Sequence, residues 1–285
     1  MMANFTKKGG WRRLLLVLVS VALMAGCACH NGRSQPAAVP EVRANILAGY
    51  LPPDEIPSSL ALVPPPPAAG SAALALDEEI SRRSFALRDT PRWSLAISDA
   101  DLTFPHAAGA FSCALSAPIT EADTPYLYML LRRTLTDLGR STATAKNHYN
   151  RWRPFMVNKE PMCTPDDKAA LEKNGSYPSG HTAAGWGWAL ILCEISPEQT
   201  DAILARGLSF GESRNACNVH WHSDVVQGRI IAAGTVARLN ADPAFRADLE
   251  AARAELAGVR KRGLKPTRDC SAEASALAVQ PSLAQ

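Results

Sequence analysis

Gly175-Ser176-Tyr177-Pro178-Ser179-Gly180-His181-Thr182 opens directly onto the apolar stretch Ala183–Ile195. The first part reads as a turn and the second as a helix, with Ser179 as the N-cap. The backbone N–H groups that follow a cap have no partner inside their own helix. Beside Gly and Ser they suit a bound phosphate. His181, in the first turn, is placed to give a proton to a leaving oxygen. A capping turn with an incidental histidine has the same composition, so the octapeptide is weighed with its neighbours.

Upstream stand Lys146 and Arg153-Pro154; downstream stand Ser213-Arg214, His220 and Asp224. As patterns these read K-x6-R-P, P-S-G-H and S-R-x5-H-x3-D. Lys146 and Arg153 are seven apart, two helical turns, which predicts both cations on one helix face, with Pro154 stopping that helix near Arg153. Alone, two cations at a helix end complement the dipole and need no function. Arg214 offers a planar fork matched to phosphate oxygens. If His220 precedes a helix, Asp224 in the first turn can hold its Nδ1–H and leave Nε2 as a nucleophile. A His–Asp bond serving stability alone is the plainer alternative. The inventory of three cations, two imidazoles and one carboxylate suits phosphoryl transfer, where positioning and charge stabilisation carry catalysis. His220, His222 and Asp224 could be imagined as metal ligands. Three cations aimed at the same point oppose a bound divalent ion, so no metal and no cofactor are expected.

The wider pattern is helical from about residue 76. Thr124-Pro125 opens a helix with Leu127, Leu131, Leu135 and Leu138 at helical spacing, and Ser196-Pro197-Glu198-Gln199 looks like a similar start with a capping Gln. Asp242-Pro243 opens another, with Phe245, Leu249, Leu256 and Val259 on one face and Gly263 as its stop. Strand signals are scarce. The expectation is a single all-α domain over 76–263. Residues 29–75 hold four consecutive prolines, Pro64–Pro67, and read as an extended spacer or an arm lying over the domain. Residues 264–285 are small and polar, and a disordered tail is expected.

The N-terminus has its own logic. Lys7, Lys8, Arg12 and Arg13 precede an apolar run from Leu14 to Ala25, too short for a comfortable membrane span, and residues 1–28 read as a secretory signal. Met24-Ala25-Gly26-Cys27 resembles the box at which bacterial lipoproteins are cut and acylated on the cysteine. Ordinary cleavage after Ala28 is the alternative, so a lipid anchor and a free periplasmic protein both stay open. The whole chain carries 30 Lys+Arg against 27 Asp+Glu. Four of the basic residues lie in the first 26, so the remainder is near neutral at −1 and no nucleic-acid partner is implied. Seven cysteines suit an oxidising compartment. Cys163 and Cys217 flank the motifs, so a bridge near the site is expected, with the connectivity not readable from sequence; Cys193 is expected free within its apolar run.

The three motifs in this order resemble the phosphatidic acid phosphatase type 2 superfamily, shared with vanadium haloperoxidases. The octapeptide Gly175–Thr182 resembles the bacterial class A non-specific acid phosphatases. The likeness runs from about Tyr50 to Phe245. It implies an all-helical fold, periplasmic location and metal-free hydrolysis of many phosphomonoesters at mildly acid pH, and hints at a homo-oligomer. By residue it implies His220 as the phosphorylated nucleophile, Asp224 as its orienter and His181 as general acid. Lys146, Arg153, Ser179, Gly180 and Arg214 would hold the phosphate oxygens. His222 departs from the family, where Gln is common. A haloperoxidase could use the same ligands, but its chains are longer. A lipid phosphatase of the superfamily would need several membrane spans, and no apolar run after Ala25 is long enough. A phosphate-binding protein without turnover would not need an acid and an oriented nucleophile.

Overall fold

The fold is built around one helix with no polar face. The computed structural model describes residues 35–279, so the signal segment lies outside the described residues. The helix is α9, Gly180–Ile195, and a helix apolar on all sides belongs in the centre of a bundle. Its N-cap is Ser179, whose Oγ accepts from Thr182 N–H at 3.2 Å. Five other helices frame it: α2 (Ala72–Ser84), α3 (Pro91–Ala100), α5 (Pro125–Ser141), α10 (Thr200–Ala216) and α11 (His222–Leu239). α5, α10 and α11 pack directly on α9, and α2 and α3 lie against α10. Close approach is set by small residues. A Cβ on Gly185 of α9 would lie 2.3 Å from the Phe210 ring of α10.

α12 (Pro243–Lys261) covers α5 with the face the sequence predicts: Phe245, Leu249, Leu256 and Val259 are all buried. Asp242 caps it through Phe245 N–H, and Gly263 beyond its end has φ +69°. Ser196-Pro197 starts differently from the expectation. A 3-10 turn over Pro197–Gln199 comes first, and α10 begins only at Thr200. Short helices α1 (Ser59–Leu62), α4 (Ser112–Leu115), α6 (Ala143–Tyr149), α7 (Pro154–Asn158) and α8 (Lys168–Leu171) fill the connections.

The N-terminal segment lies over the bundle as an arm. It contains a two-stranded antiparallel ribbon, β1 (Glu41–Arg43) and β2 (Ile46–Leu47), turned by Asn45 at φ 62°. Leu47, Tyr50 and Leu51 are buried. The carboxylate of Asp137 on α5 takes the N–H groups of Tyr50 and Leu51 at 2.9 and 3.1 Å. Tyr50 Oη donates to Asp248 of α12 at 2.7 Å. The proline run begins beside the octapeptide, where Tyr177 Oη donates to the Pro64 carbonyl at 2.6 Å.

Two expectations are corrected. Residues 264–285 are not wholly a disordered tail, because α13 occupies Cys270–Ala278. A disulfide from Cys270 to Cys113 pins it, and Asp269 caps it through the N–H groups of Ser271 and Ala272. The sequence reading looked for an apolar stripe, whereas this helix is held by a covalent tie and a cap. The second correction concerns Pro154. It starts helix α7 instead of stopping one, since proline at the first helical position loses no hydrogen bond. The upstream helix α6 ends at Asn150, which adopts φ 41°. Lys146 and Arg153 therefore sit on different elements, not on one helix face.

Candidate active site

Lys146 projects from α6 into a ring of backbone oxygens. Its Nζ donates to the carbonyls of Gly175 at 2.9 Å and Pro178 at 2.8 Å, so it braces the octapeptide turn from below. Burial first, and the Arg153 charge second, push its pKa down to about 7. Arg153, the N-cap of α7, reaches the same turn from the other side. Its Nε donates to the carbonyls of Leu171 and Asn174, and its Nη1 to that of Val219 at 2.9 Å. Burial lowers its pKa to about 10, and it stays a cation.

The same Nη1 lies 3.0 Å from His220 Nε2. Guanidinium N–H groups only donate, so Nε2 must be the accepting nitrogen and Nδ1 carries the ring proton. Nδ1 in turn lies 3.2 Å from Asp224 Oδ2. The tautomer is thus set from both sides of the ring. His220 precedes α11 by two residues and Asp224 is in the first turn of α11, the arrangement the spacing predicts. Asp224 Oδ2 also accepts Trp221 N–H at 2.8 Å, while Oδ1 accepts from Arg151 at 2.8 Å. Burial raises the Asp224 pKa, opposed first by the Arg151 charge.

Arg214 ends α10 beneath His220, whose N–H donates to the Arg214 carbonyl at 3.3 Å. Its guanidinium is buried, and Nε and Nη1 have no hydrogen-bond partner among the described residues. Leaving such donors unpaired is costly, and an oxyanion is the partner that fits a partnerless cation. Burial, then Arg153, lower its pKa to about 9.

Ser179 and Gly180 close the site from α9. Ser179 Oγ accepts from Thr182 N–H and Thr182 Oγ1, so its own hydroxyl proton is used in neither bond. Its N–H donates to the Asp224 carbonyl at 3.0 Å, which ties the octapeptide to α11. Gly228 on α11 lets the two approach: a Cβ there would sit 2.7 Å from the Ser179 carbonyl. His181 Nε2 lies 2.9 Å from the Ala100 carbonyl. A carbonyl only accepts, so Nε2 carries a proton and Nδ1 is the nitrogen left to exchange one. Burial, then Arg214, hold His181 well below the usual imidazole range; burial, then Arg153, do the same to His220.

The structure therefore gathers the residues singled out from the sequence around the turn that opens α9. Three contributors escaped that reading: Arg151, Asp77 on α2, and the Ala100 carbonyl at the end of α3. Arg151 stands two places before Arg153, at one of the unspecified positions of K-x6-R-P. The need of a buried Asp224 for a countercharge was the available signal. The disulfide expected near the site joins Cys163 to Cys217 and tethers the loop after α7 to the end of α10. Cys193 is free and half-buried. Among the described residues no three His, Cys, Asp or Glu side chains gather where they could share a metal ion.

An all-α bundle with three buried cations, Lys146, Arg153 and Arg214, gathered beside two histidines narrows the class of protein. The match to a PAP2 superfamily model over residues 124–246 identifies that class. The chain is 45% identical over 213 residues to a non-specific acid phosphatase of Providencia stuartii, covering 74% of this chain and 86% of that protein. It is 43% identical to an acid phosphatase of Zymomonas mobilis, over 71% of this chain and 76% of the relative. It is 42% identical to a non-specific acid phosphatase of Salmonella typhimurium, over 72% and 82%. The chain belongs to the PAP2 superfamily and, within it, to the bacterial class A non-specific acid phosphatases.

Proposed function

We propose that this acid phosphatase hydrolyses a broad range of small phosphomonoesters through a phosphohistidine on His220, without a metal. The observation that carries the reading is the donor–acceptor chain Arg153–His220–Asp224 beside the partnerless guanidinium of Arg214. Phosphate oxygens would replace the missing partners of Arg214 and draw Arg153 away from Nε2. The freed Nε2 lone pair attacks phosphorus, and the bond to the ester oxygen breaks. The Nδ1 proton of a protonated His181 goes to that oxygen, so the alcohol departs neutral. Asp224 shares the charge that develops on the His220 ring. Water, deprotonated by His181, then attacks phosphorus on the reverse course, breaking the P–N bond and restoring both histidines. Lys146, Arg153, Arg214, the Ser179 hydroxyl and the Gly180 N–H balance the equatorial charge throughout.

A periplasmic setting is supported by the signal-like N-terminus and by two disulfides, Cys113–Cys270 and Cys163–Cys217. No helix among the described residues is long and apolar enough to cross a membrane. Acylation of Cys27 and self-association are further parts of the proposal, read by the intact mass of the exported protein and by its size in solution. The enzymatic reading is tested with purified protein, p-nitrophenyl phosphate and rapid acid-free quenching. Turnover that persists in EDTA, with acid-labile, base-stable phosphate on His220, is expected. Complete loss in EDTA that a divalent ion restores would overturn it.

A further inference from the structure

Behind Asp224 lies a second ion pair that takes no part in the steps above. Arg151 Nη1 donates to Asp224 Oδ1 and to Ser223 Oγ, each at 2.8 Å. Its Nη2 donates to Asp77 Oδ2 at 2.8 Å. Asp77 is itself saturated: Oδ1 takes Ser223 N–H and Oδ2 takes the Ser223 hydroxyl, each at 2.7 Å. The Asp77 side chain is 1% exposed and that of Arg151 11%. Asp77 comes from α2, outside the residues 124–246 that match the superfamily model.

The geometry explains why Asp224 cannot orient His220 unaided. Oδ2 is shared between His220 Nδ1 and Trp221 N–H, whereas Oδ1 is held by the Arg151 guanidinium. Without Arg151, that oxygen would be a buried charge lacking its ion partner, and such a carboxylate either rotates or takes up a proton. Rotation would swing the imidazole; protonation would remove the charge that stabilises the phosphorylated ring. Without Asp77, Arg151 would keep Ser223 Oγ and Asp224 on Nη1 but leave Nη2 without its ion partner, and its full charge on Asp224 would draw electron density from the contact with Nδ1. Asp77 answers both needs by taking the other guanidinium nitrogen.

We propose that Asp77 and Arg151 are positioning residues for phosphoryl transfer, locking Asp224 so that His220 Nε2 faces phosphorus. The inference rests on His220 being the nucleophile. It makes helix α2 part of the catalytic apparatus, through a carboxylate that touches neither substrate nor nucleophile.

The test uses the full protein and the variants Arg151→Met, Arg151→Lys and Asp77→Asn, each normalised to the molecules that bind inorganic phosphate. Removing the outer partner that orients a metal-bound histidine typically costs about 10–100-fold, and a loss of the same order is expected where the oriented histidine is a nucleophile. That loss is expected in kcat and in the single-turnover rate of phosphoenzyme formation for Arg151→Met, with KM and inhibition by phosphate little changed. Asp77→Asn should lose less, and Arg151→Lys should recover part of the rate, since an ammonium cannot fork between two carboxylates. A merely structural staple between α2 and α11 would lower the melting temperature and leave the normalised rates at the wild-type value; that result overturns the inference. Should Arg151→Met not fold, the other two variants decide in the same way. Absence of phosphate on His220 in the wild type would instead sink the proposed function itself.

Discussion

Arg153 Nη1 sits 3.0 Å from His220 Nε2, so a cation donates to the atom proposed here as the nucleophile. This bond occupies the lone pair of Nε2 and fixes the tautomer of the ring. On the proposed mechanism phosphate oxygens would compete for the same guanidinium, so that substrate binding would free Nε2. Protonation of His220 would put N–H against N–H, which agrees in sign with a pKa held well below the imidazole norm, by burial first and Arg153 next.

The two histidines should separate by leaving group. His220→Ala is expected to abolish phosphoenzyme and turnover with every substrate. His181→Ala should lose ~10²–10⁴-fold with alkyl phosphates, the usual range for general-acid help. It should lose far less with p-nitrophenyl phosphate, whose anion leaves without a proton. Phosphate mapped to His181 instead of His220 in rapid-quench peptides would reverse the roles.

Activity should fall on both sides of an acid optimum. Both histidines are held below the usual value, so near neutrality the empty site carries them uncharged. The proton for the leaving oxygen then enters with the substrate monoanion, or on His181 once a dianion is bound; phosphate esters lose their second proton near ~6. kcat/KM should decline as pH rises past that value, and decline again in strong acid as His220 is protonated. A profile still rising at pH 9 contradicts the assignment. The same depressed values make each histidine's contribution to stability full above the ordinary ~6.5 and smaller as pH falls below it.

Phosphate binding should draw a proton onto Lys146. Its pKa in the empty site is about 7, lowered chiefly by burial, and a bound anion favours the charged form. Calorimetry at pH 7.5 in buffers of differing ionisation heat is expected to show proton uptake, with markedly less for Lys146→Arg, whose guanidinium is already charged at that pH. Equal uptake by both proteins would count against it. The sign for stability is fixed by the same value. A lysine depressed from 10.5 to about 7 weakens the phosphate-free fold fully below pH 7, and the loss is relieved as pH climbs towards 10.5.

Gly228→Ala should act on the site from outside it. The added methyl would lie 2.7 Å from the Ser179 carbonyl, a backbone atom that cannot turn aside. Overpacking of this kind costs roughly 1–3 kcal/mol. Because Ser179 caps α9 and is proposed to hold a phosphate oxygen, KM and inhibition by phosphate should worsen along with the melting temperature. Unchanged phosphate affinity in a destabilised variant would show that the turn does not move with Ser179.

What the sequence by itself determined is local in character. The octapeptide cap, the 3.6-residue stripe of α12 and the His220–Asp224 spacing each depend on residues within one or a few turns, where geometry follows from the chain alone. That is enough to give an all-helical domain and to name eight residues of the candidate site. The break at Asn150, with Pro154 opening a new helix, was not legible, because proline suits a helix start as well as a helix end. Nor was α13, which small residues alone would not hold in place without the Cys113–Cys270 tie. Arg151 meets Asp77 across 74 residues, and His181 finds the Ala100 carbonyl across 81. A buried charge or ring N–H must be partnered, yet which backbone or carboxylate comes within 3 Å is settled by how α2 and α3 pack against α10 and α11. Only the tertiary structure decides that, because packing depends on the shapes of whole helix faces and not on any motif along the chain.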